Sequence, residues 1–268
     1  MQLGEVRVAE DADFQQFRSL CEEQDGWKSE VNRSTVQVWT KNNDKCAFKM
    51  VKVRSVLKDV SAATMYDVLH DSDYRKAWDK SMVEGYEICA INPNNDIGYY
   101  ALKCTPFKNR DFVTQRSWLD LGSEYMIFNH SVNHEKCPPK KHMVRGVSHL
   151  TGYLIRPEAS GGCQLTYLSQ SDPKGRLPSW AVNKLTHILA PKVISRIHKA
   201  AKNYNSWKSR NNPHKKPWLF PEQISLPKLD MRQIKPMTIS ASDDAIDESS
   251  LKEGEFKEED FNHAADDI

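Results

Sequence analysis

The hydrophobic positions of residues 177–204 repeat with the period of an α-helix. The apolar residues recur three or four positions apart, which places them on one face of a helix with 3.6 residues per turn. They are Leu185, Leu189, Val193, Ile197, Ala201 and Tyr204. The basic residues fall roughly on the opposite face and are Lys184, Lys192, Arg196, Lys199 and Lys202. Pro191 lies within the pattern and predicts a kink. Such a helix either closes a core or, in addition, covers an apolar cavity while its basic face meets an anionic surface.

The first 80 residues mix helical and strand patterns. Residues 11–24 carry apolar side chains with helical spacing, whereas residues 35–41 and 48–57 show the alternation and valine content of strands. Ser61 stands before an apolar-periodic stretch and predicts the N-cap of a second helix. Residues 71–79 predict a short helix or turn.

Residues 84–171 favour β-structure almost throughout. Short runs rich in β-branched and aromatic residues are separated by Asn-Pro, Gly-Ser, Pro-Pro and Gly-Gly signals every ten to sixteen residues, with no helical pattern between them. This spacing predicts an antiparallel meander and argues against alternating βαβ units. The expected fold class is therefore α+β, with a sheet curled around the closing helix and space for an apolar ligand.

Charge divides the chain unevenly. Residues 239–268 contain eleven acidic and two basic residues, net −9, whereas residues 1–238 contain 36 basic and 25 acidic residues, net +11. A basic body attracts a membrane, a nucleic acid or its own acidic tail. The tail has too few large apolar residues to order itself. The six scattered cysteines, without a CxxC pair, and the lack of a secretion signal or a bilayer-spanning apolar run predict a cytoplasmic protein with reduced thiols.

Catalytic and metal-binding patterns are weak in this sequence. It contains no GxSxG, GxxxxGK[ST] or HExxH motif. His130 and His134 are four residues apart but lie in predicted β-structure without a third ligand, which favours ordinary strand histidines over a metal pair. The carboxylates of Asp71, Asp73 and Asp79 are better explained by turn capping and an ion pair with Arg75. The sequence therefore predicts neither an enzyme nor a metal or cofactor site.

Three motifs resemble the signatures of the START lipid-transfer domains. They are Tyr74–Asp79 (YRKAWD), Asn109–Phe112 (NRDF), and DPKG at 172–175 with LPSW at 177–180. They occur in the same order as in that family, over roughly residues 10–210, and are most similar to the phosphatidylcholine-transfer-protein branch. The resemblance implies a helix-grip fold, in which a strongly curved antiparallel sheet grips the long C-terminal helix around a lipid tunnel.

The resemblance also implies the roles of individual residues. Arg75 matches the arginine that binds the lipid phosphate, and a guanidinium offers forked donors suited to phosphate oxygens. Tyr100 and Phe112 match two of three aromatics that cage choline by cation–π attraction, whereas the third position falls near His149. Positions at which polar residues of the phosphatidylcholine-binding relative contact the lipid fall on Leu69, Ser81 and Thr151 in this sequence. A weaker cage predicts that phosphatidylethanolamine is carried in addition to phosphatidylcholine.

A gate is implied at the turn Cys104–Arg110 and at the helix from Trp180 onward. Basic loop and helix residues there would meet an anionic membrane surface. The expected gate and membrane contacts are Phe107, Lys108, Arg110, Trp180, Lys184, Lys192, Arg196 and Lys199, with Lys140 and Lys141 on a neighbouring loop.

These expectations divide the chain into a lipid-binding domain (residues 1–210), a basic extension containing proline and tryptophan (211–238) and a disordered acidic tail (239–268). The predicted function is transfer of one glycerophospholipid between membranes by a monomer that contacts anionic membranes transiently and binds no nucleic acid. The alternatives are a lipid-gated adaptor or sensor, an enzyme on the same scaffold, and a sterol carrier. Ser240 and Ser250 each precede an acidic residue by three positions, as in acceptor sites of acidophilic kinases. Phosphates there would strengthen competition between the tail and anionic lipid.

Overall fold

The computed structural model describes residues 1–42, 48–178, 180–181, 190–237 and 246–255. Four α-helices of the described residues are α1 (Asp11–Glu22), α2 (Ala62–His70), α3 (Ser72–Trp78) and α4 (Ala190–Lys208). The first strands are β1 (Lys28–Asn32), β2 (Val36–Lys41) and β3 (Met50–Leu57). The meander supplies β4 (Met82–Asn92), β5 (Asn95–Leu102), β6 (Arg110–Asp120), β7 (Tyr125–Ser131), β8 (Asn133–His134), β9 (Val144–Arg145), β10 (Val147–Pro157) and β11 (Cys163–Asp172), and β12 (Ile234–Lys235) follows α4.

Within the described chain, one large sheet carries the fold. Its order is β1-β2-β3-β11-β10-β7-β6-β5-β4, every neighbouring pair is antiparallel, and β9 adds a short parallel pairing with β6. The sheet does not close, so β1 and β4 are its edges. The predicted antiparallel meander is confirmed, and β3 joins it by pairing with β11.

Helices cover both faces of the sheet. On one face α4 and α2 pack against strand residues such as Val53, Ile155 and Leu165, and Ile197 and Tyr204 of α4 are almost completely buried. The predicted apolar stripe is therefore confirmed for the described part of α4. On the other face, Phe14 and Phe17 of α1 pack against the strand side chains that point away from α4. Leu185 and Leu189 lie outside what the structure describes, and so does the turn before Pro191, relative to which the expected kink would be seen.

Local capping signals also have the expected effect. Ser61 precedes α2, and its hydroxyl accepts a hydrogen bond from the amide of Thr64 at 3.2 Å. Asp71 caps α3 by accepting from the amide of Tyr74 at 3.0 Å. The same carboxylate accepts from Tyr204 at 3.0 Å and from Lys208 at 2.8 Å. One buried aspartate thus fixes the start of α3 against the end of α4.

The segment after α4 is ordered, and we call residues 211–237 the strap. Trp218 of the strap donates its indole N–H to Asp67 at 2.8 Å, and Lys216 forms an ion pair with the same carboxylate at 2.6 Å. Further along, Leu229 and Ala90 of the edge strand β4 share a backbone hydrogen bond, and β12 pairs with β8. The strap therefore follows the sheet edge at β4.

Candidate functional site

Arg75 lies on α3 and faces a cavity between that helix and the sheet. Its Nε donates to Asp79 at 3.1 Å. Among the described residues, neither of its terminal nitrogens has a hydrogen-bond partner. The side chain is 41% accessible although protein surrounds it, because the accessible part lines the cavity. Burial opposes its charge, but Asp79 and nearby tyrosines outweigh this and raise the pKa of Arg75. The site offers a fixed cation with two uncommitted donor groups.

Two pairs of aromatic rings lie near this guanidinium. Tyr100 and Phe112 are directly opposite each other on β5 and β6, with ring centroids 5.0 Å apart and nearly parallel planes. The guanidinium carbon of Arg75 lies 5.7 Å from the Tyr100 ring. Tyr153 and Tyr167 form a similar pair across β10 and β11 at 5.2 Å. Burial raises the pKa of Tyr100, Tyr153 and Tyr167, and the charge of Arg75 partly offsets this increase.

Small polar side chains cluster on the same face of β10 and β11. Thr151 lies between Ser169 and Ser171, each at 3.1 Å, and Ser148 bonds both Thr151 at 3.1 Å and Asn129 at 3.0 Å. Strand alternation places Thr151 on the side of Tyr153. Hydroxyl groups can donate as well as accept, so this cluster can bind ester, phosphate or hydroxyl oxygens.

An ion pair between the half-buried Arg116 and the buried Asp96 extends the polar lining toward β4. Arg116 donates two hydrogen bonds to Asp96, at 2.5 and 3.2 Å, and its guanidinium also lies over Trp118. Burial raises the pKa of Asp96 despite the charge of Arg116. Both residues line the cavity at Arg75 and an adjoining cavity that is bounded by Trp218 of the strap. The two cavities therefore meet at this pair.

The residues expected to contact the headgroup are only partly brought together. Arg75, Tyr100 and Leu69 line one cavity, and Phe112 stacks on Tyr100. Ser81 donates its hydroxyl to Asp79, the partner of Arg75, at 2.5 Å. His149 is the extra residue of a bulge in β10 between Ser148 and Leu150, and it is not among the residues lining that cavity.

The expected gate shows one clear correction. Phe107 and Trp180 are half-buried and in contact, with centroids 5.5 Å apart, and the side chain of Lys108 is exposed. Arg110, however, does not face solvent from a loop. It is the first residue of β6, is only 3% exposed, and forms an ion pair with Glu248 at 2.5 Å. Its proximity in sequence to a turn was misleading because its partner is 138 residues away.

The predicted basic face of the last helix is only partly free. Lys192, Arg196 and Lys199 are half-buried on α4, and Lys184 lies outside the described residues. Burial lowers the pKa of Arg196, and the charge of Asp79 partly compensates. Arg196 is therefore within electrostatic range of Asp79, the partner of Arg75. Lys140 forms an ion pair with Glu84 at 2.7 Å, and Lys141 is exposed.

The histidines of the weighed metal pair have separate roles. His130 is buried and its Nε2 shares a hydrogen bond with the carbonyl of Glu5 at 2.7 Å, whereas Nδ1 of His134 accepts from the amide of Lys136 at 3.2 Å. No group of three or more potential ligands is placed to hold a metal ion within the described ranges. Within the same ranges, no helix has the length and apolarity needed to cross a bilayer.

The acidic tail differs from its expected disorder in one stretch. Residues 246–255 are described, and Ser250 among them is exposed. Ser240 falls outside the described residues.

Several residues of the candidate site were not found from the sequence, and of those named next Arg116 lines both cavities. Tyr153, Tyr167, Arg116 and the serines around Thr151 belong to no conspicuous motif. The alternation of β10 does place Tyr153 on the same face as Thr151, two residues away. This spacing could have indicated from the sequence that Tyr153 belongs to the site. The pairing of β10 with β11, which brings Tyr167 and the serines alongside, required the three-dimensional register.

Comparison with known proteins agrees with this architecture. A family model described as START domain matches residues 7–208. Human START domain-containing protein 10 is 45% identical over 251 residues, which cover 92% of this chain and 86% of that protein. Its crystal structure superposes with a TM-score of 0.83 and covers 88% of this chain and 97% of that one.

A more distant relative is the mouse phosphatidylcholine transfer protein, which is 27% identical over 203 residues, covering 71% of this chain and 94% of the relative. The family match covers most of the chain and agrees with the curved antiparallel sheet and with the YRKAWD, NRDF and DPKG motifs. This chain therefore belongs to the START domain family.

Proposed function

We propose that this protein binds one glycerophospholipid in its cavity and carries it between membranes. The observation that carries the proposal is Arg75, whose guanidinium points uncommitted donors into a cavity on a START fold. A guanidinium binds phosphate oxygens through parallel charge-assisted hydrogen bonds, so a phosphodiester suits this anchor better than a sterol hydroxyl. The hydroxyl cluster around Thr151 supplies further donors for the glycerol esters.

Lipid transfer requires the lipid to partition between the bilayer and the protein, and it changes no covalent bond. Burying an acyl chain contributes about 0.8 kcal/mol per CH₂ both in a bilayer and in an apolar cavity, so exchange between them can be close to balanced. The protein must then shield the chains in transit and admit the headgroup. No general acid or base and no cofactor is required, and we propose that the protein is not an enzyme.

The aromatic rings support a zwitterionic headgroup. The Tyr100–Phe112 pair beside Arg75 and the Tyr153–Tyr167 pair present ring faces to which a quaternary ammonium is attracted. The name of the mouse relative, phosphatidylcholine transfer protein, supports a choline lipid. Because His149 stands where a third cage aromatic was expected, we propose that phosphatidylethanolamine is carried as well. Extracts containing phosphatidylcholine alone would contradict this selectivity.

The setting of this activity follows from charge. A net positive body suits transient, peripheral contact of a cytoplasmic monomer with anionic membranes, and the exposed Lys108 and the half-buried Lys192 and Lys199 are the proposed contacts. Each basic residue near such a surface contributes about 1 kcal/mol.

Substitution of Arg75 tests the function. We expect Arg75→Ala to abolish transfer of fluorescent phosphatidylcholine between vesicles, and Arg75→Lys to restore it only in part because an ammonium lacks the fork. Lys76→Ala is the matched control, since Lys76 is the exposed neighbour on the same helix and should leave transfer unchanged. Unaltered melting temperatures would show that the fold is intact. Full transfer by a folded Arg75→Ala protein would refute the headgroup assignment.

A further inference from the structure

Part of the acidic tail is docked against the expected gate. We call Ile246–Leu251 the latch. Its backbone exchanges two hydrogen bonds with Arg176, from the Arg176 amide to the Ile246 carbonyl at 2.9 Å and from the Glu248 amide to the Arg176 carbonyl at 3.0 Å. The indole N–H of Trp180 donates to the carbonyl of Leu251 at 3.0 Å. The latch thus pairs with the chain that leads into the last helix.

The side chain of Glu248 fills a site suited to a carboxylate. One oxygen accepts from the backbone amide of Lys108 at 2.7 Å, and the other forms an ion pair with Arg110 at 2.5 Å. Arg110 and Glu248 are 3% and 7% exposed, so the pair is shielded from solvent. Arg110 is oriented by the carbonyls of Lys108, Pro173 and Lys174, at 2.7 to 3.1 Å. These contacts preorganise the guanidinium for one acidic side chain.

The same glutamate therefore connects two elements that lie far apart in sequence. Lys108 and Arg110 follow Phe107 in the turn Cys104–Arg110, while Arg176 and Trp180 lie before α4, and Phe107 contacts Trp180 directly. Gly175 leaves room for this approach, because a Cβ atom there would lie 3.2 Å from the Ile246 carbonyl and 3.4 Å from an Arg110 nitrogen. Its φ of +76° also favours glycine.

We propose that the latch is an intramolecular acidic peptide that occupies a carboxylate-binding cleft at the lipid entrance and holds that entrance closed. For Phe107 and Trp180 to separate, Glu248 must leave Arg110 and the Lys108 amide. The Arg110 guanidinium and the Lys108 amide then become available as donors to an anionic membrane surface, so membrane contact favours the open state. This inference rests on the proposed transfer function.

The latch depends on the position of one carboxylate, which distinguishes it from simple repulsion between an acidic tail and anionic lipid. Glu248→Gln keeps the size of the side chain but removes its charge, and losing one charge-assisted hydrogen bond should shift the opening equilibrium about tenfold. Asp247→Asn removes the same charge one residue away, where the exposed carboxylate accepts hydrogen bonds from Ser249 and, among the described residues, has no other hydrogen-bond donor. Only the first substitution should matter if the latch is correct.

The experiment compares the full-length wild type, Glu248→Gln and Asp247→Asn in phospholipid transfer between vesicles containing phosphatidylcholine and phosphatidylserine. We expect faster transfer by Glu248→Gln and a rate within about twofold of wild type for Asp247→Asn, by analogy with other exposed substitutions. Equal rates for all three proteins would overturn the latch alone. Equal acceleration by both variants would show general electrostatics instead. Absence of transfer by every protein would refute the proposed function, and with it the role of the latch in transfer.

Hydrogen exchange gives a second readout that does not depend on activity. The amides of Lys108 and Arg176 donate to the latch, so both should exchange slowly in wild type and in Asp247→Asn. Glu248→Gln should accelerate exchange at both amides. Rapid exchange at these amides in the wild type would overturn the latch, because it would show that the segment is not docked in solution.

Discussion

At the scale of single residues, two arginines illustrate how partners determine roles. Arg75 has one hydrogen-bonded nitrogen and a large accessible surface within a cavity, so it retains capacity for a ligand. Arg110 is buried and its nitrogens are committed to three carbonyls and a carboxylate. Both occur in START motifs, and both carry the same charge. The difference arises from their surroundings, which support the proposed roles of Arg75 as a binding residue and of Arg110 as part of the closed entrance.

His70 provides a prediction at the same scale. It is 4% exposed, stacks on Trp218 with centroids 5.7 Å apart, and its Nε2 has no partner in the described chain. Burial, together with the charge of Arg116, holds the pKa of His70 well below its usual value of 6.5. The folded protein therefore keeps this ring neutral at a pH where the unfolded chain protonates it.

The sign of the resulting pH dependence follows from proton binding. The stabilisation is fully present above pH 6.5 and is lost as the pH falls below it, by about 1.4 kcal/mol per pH unit for one such group. We expect the free energy of unfolding of the wild type to fall between pH 7.5 and 5.5 in urea titrations. His70→Phe, which retains an aromatic ring, should fall less over this interval. Equal losses for both proteins would exclude His70 as a source of acid sensitivity.

At the scale of elements, the strap shows how a segment without periodicity becomes ordered. Residues 211–237 have no helical or strand repeat of useful length, yet they follow the sheet edge at β4 and bound the cavity next to Arg116. A few specific anchors replace a continuous hydrophobic face. The strongest is Trp218, which stacks on His70 and bonds Asp67.

Removal of this anchor should loosen the strap. We expect Trp218→Ala to lower the free energy of unfolding by about 1–3 kcal/mol, because it removes both buried ring contacts and a hydrogen bond. Hydrogen exchange should accelerate at Ala90 and Leu229, whose amides bond across the strap and β4. Phe220→Ala, at a nearby position that is 45% exposed, is the control and should change stability by less than about 0.5 kcal/mol. Unchanged exchange in Trp218→Ala would contradict the anchoring role.

The elements also show what the sequence can predict. The α1 helix, β2, β3, the Ser61 cap and the inner stripe of α4 depend on periodicity or on neighbours three or four residues away, and they were predicted correctly. The strap and the burial of Arg110 depend on Asp67 and Glu248, which are distant in sequence, so no local pattern indicates them. For the candidate site, the family resemblance pointed to Arg75, Tyr100 and Phe112. Tyr167 and its serine neighbours needed the register of β10 and β11.

At the scale of the whole molecule, the fold combines an open curved sheet with a helix that closes it. The sheet supplies a polar lining around Arg75, α4 covers part of the same face, the strap runs along the β4 edge, and the latch contacts the expected gate. A net charge of +11 on residues 1–238 favours approach to anionic membranes. The latch instead uses a single acidic residue of the tail, which forms an ion pair shielded from solvent. In the proposed function and the proposed latch, lipid binding and access to the cavity therefore depend on separate parts of the chain.

Native mass spectrometry of the purified full-length protein tests the central claim most directly. We expect a population with the mass of the protein plus one glycerophospholipid, and fragmentation of the released ligand should identify choline and ethanolamine headgroups. Arg75→Ala, purified in parallel, should carry much less phospholipid at the same folded content. A wild-type protein that carries a sterol, or that cannot be loaded with phospholipid from vesicles, would contradict the proposed function.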